Sequence, residues 1–255
     1  FTSEFLAARG LSQSDYSYFY PGSTFGGFNV ANAKVTEKDI AAENGVIHII
    51  DKVVTPLNSI DQYLRNKPQY SLFRSIVERF MVLFINNVDA TRRYQVLKGG
   101  NQDVAVKVYS NFLAFSPNNE NYFKLQDNDG QRDGWTIFVP TNDSLTKYIN
   151  TVVLQQYTSI NALPLSIISD LLNAHMWQST VWPSKFSSTY NFLGEPAKIN
   201  NVTDVVDRKV LSNGIFYGTK KVNEPNVFST VYGKAYLNPN YSLMTRLLDQ
   251  ELKPI

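Results

Sequence analysis

Residues able to do chemistry are sparse in this 255-residue chain, which has two histidines, His48 and His175, and no cysteine. Without cysteine there is no disulfide, no zinc–thiolate site and no thiol nucleophile. A catalytic histidine needs an orienting partner and a nucleophile within hydrogen-bond reach, and the sequence offers no such set for either one. His48 alternates with apolar residues in an apolar run, and His175 closes a helical stretch. Both read as structural histidines with satisfied ring nitrogens. The stretch Asp127-Asn128-Asp129-Gly130-Gln131-Arg132-Asp133 invites calcium. An EF-hand loop needs glycine at its sixth position; Arg132 stands there, and the stretch reads as a polar turn. Phosphate-binding glycine loops, dinucleotide fingerprints and serine-elbow motifs are absent from the sequence. The expectation is a chain with no catalytic site, no metal and no cofactor.

Trp177 and Trp182, the latter followed by Pro183, are the candidate ligand-contact aromatics. An exposed indole there could stack on a sugar ring or a partner, although tryptophan is more often buried. The chain holds 15 Tyr and 16 Phe, a supply that suits an extracytoplasmic binding surface as well as a core. Charge is nearly balanced, 24 basic against 22 acidic residues, which argues against a nucleic-acid partner. The apolar run at residues 80–85 is too short to span a bilayer. Three Asn-x-Ser/Thr sequons begin at Asn142, Asn201 and Asn240; Asn142 reads as a helix cap rather than a glycan site.

These residues need elements to hold them. Asn44-Gly45 predicts a tight hairpin, because both residue types tolerate positive φ, followed by a buried strand over 46–54. Asn58-Ser59 predicts a helix start, and Leu72, Phe73, Ile76, Val77 and Phe80 have amphipathic helical spacing. Residues 98–101 read as a turn, and Val104, Val106 and Val108 as a half-buried strand. A strand over 135–139 runs into Pro140-Thr141-Asn142, where Thr141 or Asn142 can cap the next helix. Helices are expected over 145–155 and 165–175, then short strands ending in Asn213-Gly214 and residues 215–222. Helices gather before strands, an α+β pattern.

The chain also echoes itself. Asn44-Gly45-Val46-Ile47-His48 returns as Asn213-Gly214-Ile215-Phe216-Tyr217, 169 residues on, and both continue through Lys-Val to a proline, Pro56 or Pro225. Tyr70-Ser71-Leu72 returns as Tyr241-Ser242-Leu243, 171 residues on. A period that long is a domain rather than a solenoid repeat. It predicts one complete copy flanked by parts of neighbours, a window from a longer modular protein.

Residues 137–145, with the core Pro140-Thr141-Asn142, resemble the first signature of the fasciclin domain. Leu171-Leu172-Asn173-Ala174-His175 is similar to that family's helix end, with Ala174 in place of its usual tyrosine. Residues 210–225 resemble the second signature, and residues 38–51, from Lys38-Asp39-Ile40 through Asn44-Gly45, resemble it more closely. In the complete copy Arg208-Lys209 stand where the first has Asp39-Ile40, and the segment before Trp135 is longer than the family's. The resemblance implies a β-wedge packed with a helical cluster. It also implies residues 1–57 as the end of a preceding copy, 58–228 as a complete domain, and 229–255 as a tail or the start of a further copy.

In function it implies a non-enzymatic adhesion module, secreted or surface-anchored, with a protein or glycan partner at the cell surface or matrix. Asp39 and Ile40 become the adhesion-motif candidates by this likeness, against the ordinary reading of Asp39 as a turn cap and Ile40 as core. Asparagine-rich loops without cysteine point to a bacterial surface protein, its anchor outside these residues. A glycan-binding accessory protein of a bacterial surface is the alternative. Phe1, Phe5, Leu6, Phe19, Phe25 and Phe28 are expected to pack on the complete domain or a second molecule.

Overall fold

The structure is a computed structural model and describes residues 7–8, 10–23, 25, 29–30, 33–118 and 134–251. The acidic stretch 127–133 and Phe1, Phe5, Leu6 and Phe28 lie outside the described residues.

The centre is a four-stranded sheet in the order β7-β6-β9-β8, formed by β6 (Trp135–Pro140), β7 (Met176–Trp177), β8 (Val205–Leu211) and β9 (Gly214–Thr219). β6 and β9 are parallel, and the two outer pairings are antiparallel. Strand side chains alternate between faces, and here both faces are covered. Ile137, Val139 and Phe216 enter one apolar cluster, while Phe138, Ile215 and Tyr217 enter the other with Trp177 and Phe186. That burial explains why these strands read as nearly unbroken apolar runs.

The first cluster is built by α2 (Ile60–Arg65), α3 (Ser71–Val77), α5 (Asn142–Tyr148) and α6 (Leu165–Asn173). Ser59 caps α2 in a reciprocal box with Gln62, which satisfies two otherwise orphaned amides. The fold is α+β, as the sequence implies.

Two elements escaped the sequence. They are β4 (Met81–Asn86) and α4 (Val88–Lys98); β4 pairs with β5 (Ala105–Tyr109), the strand expected around Val106. α4 has no apolar stripe and buries no residue, so it gives no helical period to read. Gly99 and Gly100 end it at φ 71° and 90°. The helix expected over 145–155 starts earlier, at Asn142, and passes into a π-helical turn at Ile149–Val153.

α1 (Gln13–Phe19) is joined to the central domain. Asp15, 1% exposed, accepts from the Ser184 amide at 2.8 Å and the Ser184 hydroxyl at 2.7 Å. Phe19 packs with Trp182 and Tyr217, its ring centre 5.8 Å from that of Tyr217. Phe25 meets Tyr16 edge to face.

β1 (Asn29–Val30), β2 (Ala33–Ala42) and β3 (Gly45–Ile50) form a separate antiparallel sheet. The expected buried strand over 46–54 is corrected in two ways. It ends at Ile50, and its residues are exposed, Val46 by 59% and Ile47 by 54%. A hairpin forms there, but its register is corrected too: Ala42 pairs with Gly45, so the turn residues are Glu43 and Asn44, and neither they nor Gly45 has a positive φ.

Candidate binding surface

The β2–β3 and β8–β9 hairpins match in pairing as well as in sequence. Val35 opposes Ile50 and Glu37 opposes Ile49, with one extra residue between; Val205 opposes Thr219 and Asp207 opposes Gly218, with the same extra residue. Nearer the turn, Ile40 opposes Ile47 as Lys209 opposes Phe216. Between these points β2 carries one further residue, a second bulge in which Asp39 takes φ 61°. A left-handed aspartate at a bulge is a known accommodation. Asp39 is thus exposed at a bulge rather than capping a turn, and its amide donates to His48 Nδ1 at 3.1 Å. Ile40 is half-buried on the hairpin, outside both apolar clusters. The carboxylate occupying the place of Asp207 is that of Glu37.

The hairpins differ in their surroundings. Asn213 is 2% exposed; its side-chain carbonyl accepts from the Ile60 amide at 2.9 Å, and its amide donates to the Pro117 and Asn118 carbonyls. A Cβ on Gly214 would stand 2.1 Å from the Trp135 carbonyl oxygen. Asn44 is exposed, and a Cβ on Gly45 would meet nothing. One turn is clamped between helix and sheet, and its counterpart is bare.

The Pro140-Thr141-Asn142 junction fastens the helical layer to the sheet. Asn142 accepts from the Leu72 amide at 3.0 Å and donates to the Pro68 carbonyl at 2.9 Å and to the Ser71 hydroxyl. The Thr141 amide donates to the Thr219 carbonyl at 2.8 Å. Thr141 is the N-cap residue, but its hydroxyl meets Ser144 rather than an orphaned amide.

His175 is fully buried. Its Nδ1 lies 2.7 Å from the Leu171 carbonyl, and its Nε2 accepts from the Asn223 amide at 3.0 Å. That pair of contacts assigns the proton to Nδ1. Burial lowers its pKa to about 4, so the ring is neutral at pH 7 and serves as a pin between α6 and the segment after β9. Asn223 adds a bond of its own to the Ala174 carbonyl at 2.7 Å. Nothing local in the sequence marks Asn223 for this role, since its partners lie 48 and 49 residues away.

Trp177 is corrected: it is fully buried, with its indole N–H on the Thr189 carbonyl at 3.1 Å, and cannot meet a ligand. Trp182 is half-buried against Phe19. Among the described residues no group of three His, Asp or Glu could hold a metal ion. The densest charge cluster lies elsewhere. Asp61 meets Arg65 at 2.9 Å and Lys107 at 3.3 Å, accepts from the Tyr109 hydroxyl, and shares Lys107 with Glu78. Each charge there has an opposite partner, which is the arrangement of a structural network.

What remains open is surface. The apolar residues of β3 are uncovered, and so is a second face near the other end. α7 (Val231–Tyr236), capped by Thr230, is followed by a short 3-10 turn at Pro239–Tyr241 and by α8 (Ser242–Glu251). This is the order of Ser59, α2, the 3-10 turn at Pro68–Tyr70 and α3, each element displaced by 171 residues. Tyr70, Phe73, Ile76 and Val77 are buried, whereas of their counterparts Tyr241, Met244 and Leu247 are exposed, Leu247 by 55%, and Leu248 is half-buried. No described helix is long and apolar enough to cross a membrane.

Residues 10–56 match the family model described as Fasciclin domain. No curated protein matches the chain. Among solved structures, the FAS1 domain pair of the insect cell adhesion molecule fasciclin I is similar over 78% of this chain, at 15% identity and a TM-score of 0.38. The chain spans 62% of that structure's length. The matched stretch holds the whole β2–β3 hairpin, and over those residues the chain is similar to a fasciclin domain.

Proposed function

We propose that this chain is a non-enzymatic, extracytoplasmic adhesion module at a cell surface or matrix, carrying parts of three fasciclin-like copies in series. Residues 1–57 end one copy, 58–228 form a complete one, and 229–255 open another. The observation that carries this reading is the doubled pairing register. Two hairpins share the same bulge and the same Asn-Gly turn, yet one is clamped and the other bare. Bare apolar strands are surfaces that recruit partners.

The test is attachment under flow of beads coated with the chain to cultured cells. The expected result is attachment above albumin-coated beads that falls with Val46→Asp and Ile47→Asp. Attachment equal to albumin would refute the reading.

A second reading has its own observation. A cavity of about 310 Å³ between α1 and the edge strand β8 is lined by Lys34, Arg208 and Lys209 with Tyr20, Ser23 and Asn29, and among the described residues no carboxylate lines it. The Arg208 guanidinium is held over the Tyr18 ring at 4.0 Å. This favours an acidic glycan as ligand, in a place other than the tryptophans. A glycan array decides: binding of uronate or sulfated sugars, lost in Arg208→Gln, supports it, and silence on acidic sugars refutes it.

A further inference from the structure

Where α7 returns onto the central domain it closes a cavity of about 410 Å³ against α6 and the turn that carries Glu195. Two carboxylates line it, Asp170 from α6 and Glu195, and among the described residues no cation does. Asp170 accepts from the Tyr236 hydroxyl at 2.9 Å. Glu195 is 6% exposed, and its position is fixed. Its main chain bonds to Asn191 in both directions, and its Oε1 accepts from the Asn226 amide at 2.8 Å. Its second oxygen, Oε2, is buried and receives no hydrogen bond. Lys198 approaches that oxygen only to 3.7 Å and donates instead to the Glu224 carbonyl. A buried carboxylate oxygen without a donor is costly, and each such group in a folded protein calls for an explanation. The Tyr232 and Tyr236 rings, stacked with centres 5.6 Å apart, form one wall of the cavity, and Leu193 and Val227 add apolar surface.

We propose that this cavity binds a guanidinium group, with Asp170 and Glu195 as its acceptors and the paired tyrosines as the wall it lies against. The inference stands apart from both readings above. A guanidinium is planar, stays charged, presents five donors in a fixed fork and stacks on aromatic rings. An ammonium has donors but no flat face, and a quaternary amine has no N–H to give Glu195 Oε2. Leu193 and Val227 suit a methylene stem behind the charged head. A following copy would leave the site in place. The side of α7 at the cavity is the side packed on the central domain: Leu237 is buried, and a Cβ on Gly233 would stand 2.0 Å from the Val227 carbonyl oxygen. By the repeat, a following copy covers Val231, the counterpart of buried Ile60, and leaves Tyr236, the counterpart of exposed Arg65.

Calorimetric titration of the full chain with N-acetyl-arginine amide and with free arginine tests this. The expected result is saturable binding, stronger than that of the matching lysine compound and absent for the citrulline one, which keeps the planar shape without the charge. Tighter binding of the blocked form assigns the site to an arginine of a protein, and tighter binding of free arginine to a small molecule. Glu195→Gln and Asp170→Asn keep the side-chain size and should each weaken binding about tenfold, the loss of one charge-assisted hydrogen bond. Circular dichroism verifies that both variants fold. Arg208→Gln, in the other cavity, should leave the binding unchanged. No saturation by about 10 mM of either arginine probe, a citrulline or lysine compound that binds as well as arginine, or folded Glu195→Gln and Asp170→Asn variants that bind as tightly as the parent would overturn the proposal.

Discussion

Replacing Asn213 with alanine removes three hydrogen bonds at a site 2% exposed to water. The Ile60 amide, buried beneath α2, loses its acceptor, and the Asn118 carbonyl loses a donor. The Pro117 carbonyl keeps the Asp61 amide at 2.8 Å, so it costs less. A buried polar group left unpaired costs about 1–3 kcal/mol, and one amide with one carbonyl comes to about 3 kcal/mol. For a chain of this size that is a fall in melting temperature of about 6–12 °C. Asn44→Ala sits on the bare copy of the same turn and should change stability by less than about 0.5 kcal/mol. Urea denaturation of both variants beside the parent measures the difference directly. Equal effects at the two positions would refute the claim that the hairpins are one element in two environments.

The glycines make the same contrast. Gly214→Ala drives a Cβ into the Trp135 carbonyl and should cost about 3 kcal/mol or more, while Gly45→Ala should be nearly neutral by the same denaturation. His175 has a folded pKa of about 4 against an ordinary 6.5, so the unfolded chain binds its proton first as pH falls. Its contribution is complete above pH 6.5 and is lost between 6.5 and 4, by roughly 3 kcal/mol; His175→Gln should flatten that part of the stability–pH curve. Burial raises the pKa of Asp15, but hydrogen bonds from Ser12 and Ser184 outweigh it and hold the group below its ordinary value. Asp15 therefore anchors α1 above the ordinary carboxylate range, and the anchor is lost as pH falls through its lowered pKa. Asp15→Ala should release α1 at neutral pH, read as faster proteolysis between α1 and β2.

Much of the central domain was legible because its signals are local. Ser59 announces α2 through a capping box closed within three residues, and Asn-Gly announces both hairpins. Strand β6 reads from its own apolar run. What the sequence hid depends on contacts at long range. Asn213 looks like a turn residue, and its clamp on Ile60 spans 153 positions. Val46 and Ile47 have the composition of a buried strand, and no local signal says that their cover is missing. Trp177 shares its neighbourhood with Trp182, yet one indole is enclosed by Phe138 and Thr189 while the other reaches the surface. The extra residue at Asp39 also escaped, because the legible sequence match begins at Asn44, and only the pairing register shows the offset changing from 169 at Ile40 to 170 at Glu37.

Hydrogen exchange is the most direct measurement of the central claim that the β2–β3 and β8–β9 hairpins are one element in two environments. The β9 amides should exchange with near-global protection, and the β3 amides should exchange far faster despite their matched pairing. Equal protection of β3 and β9 would contradict the account.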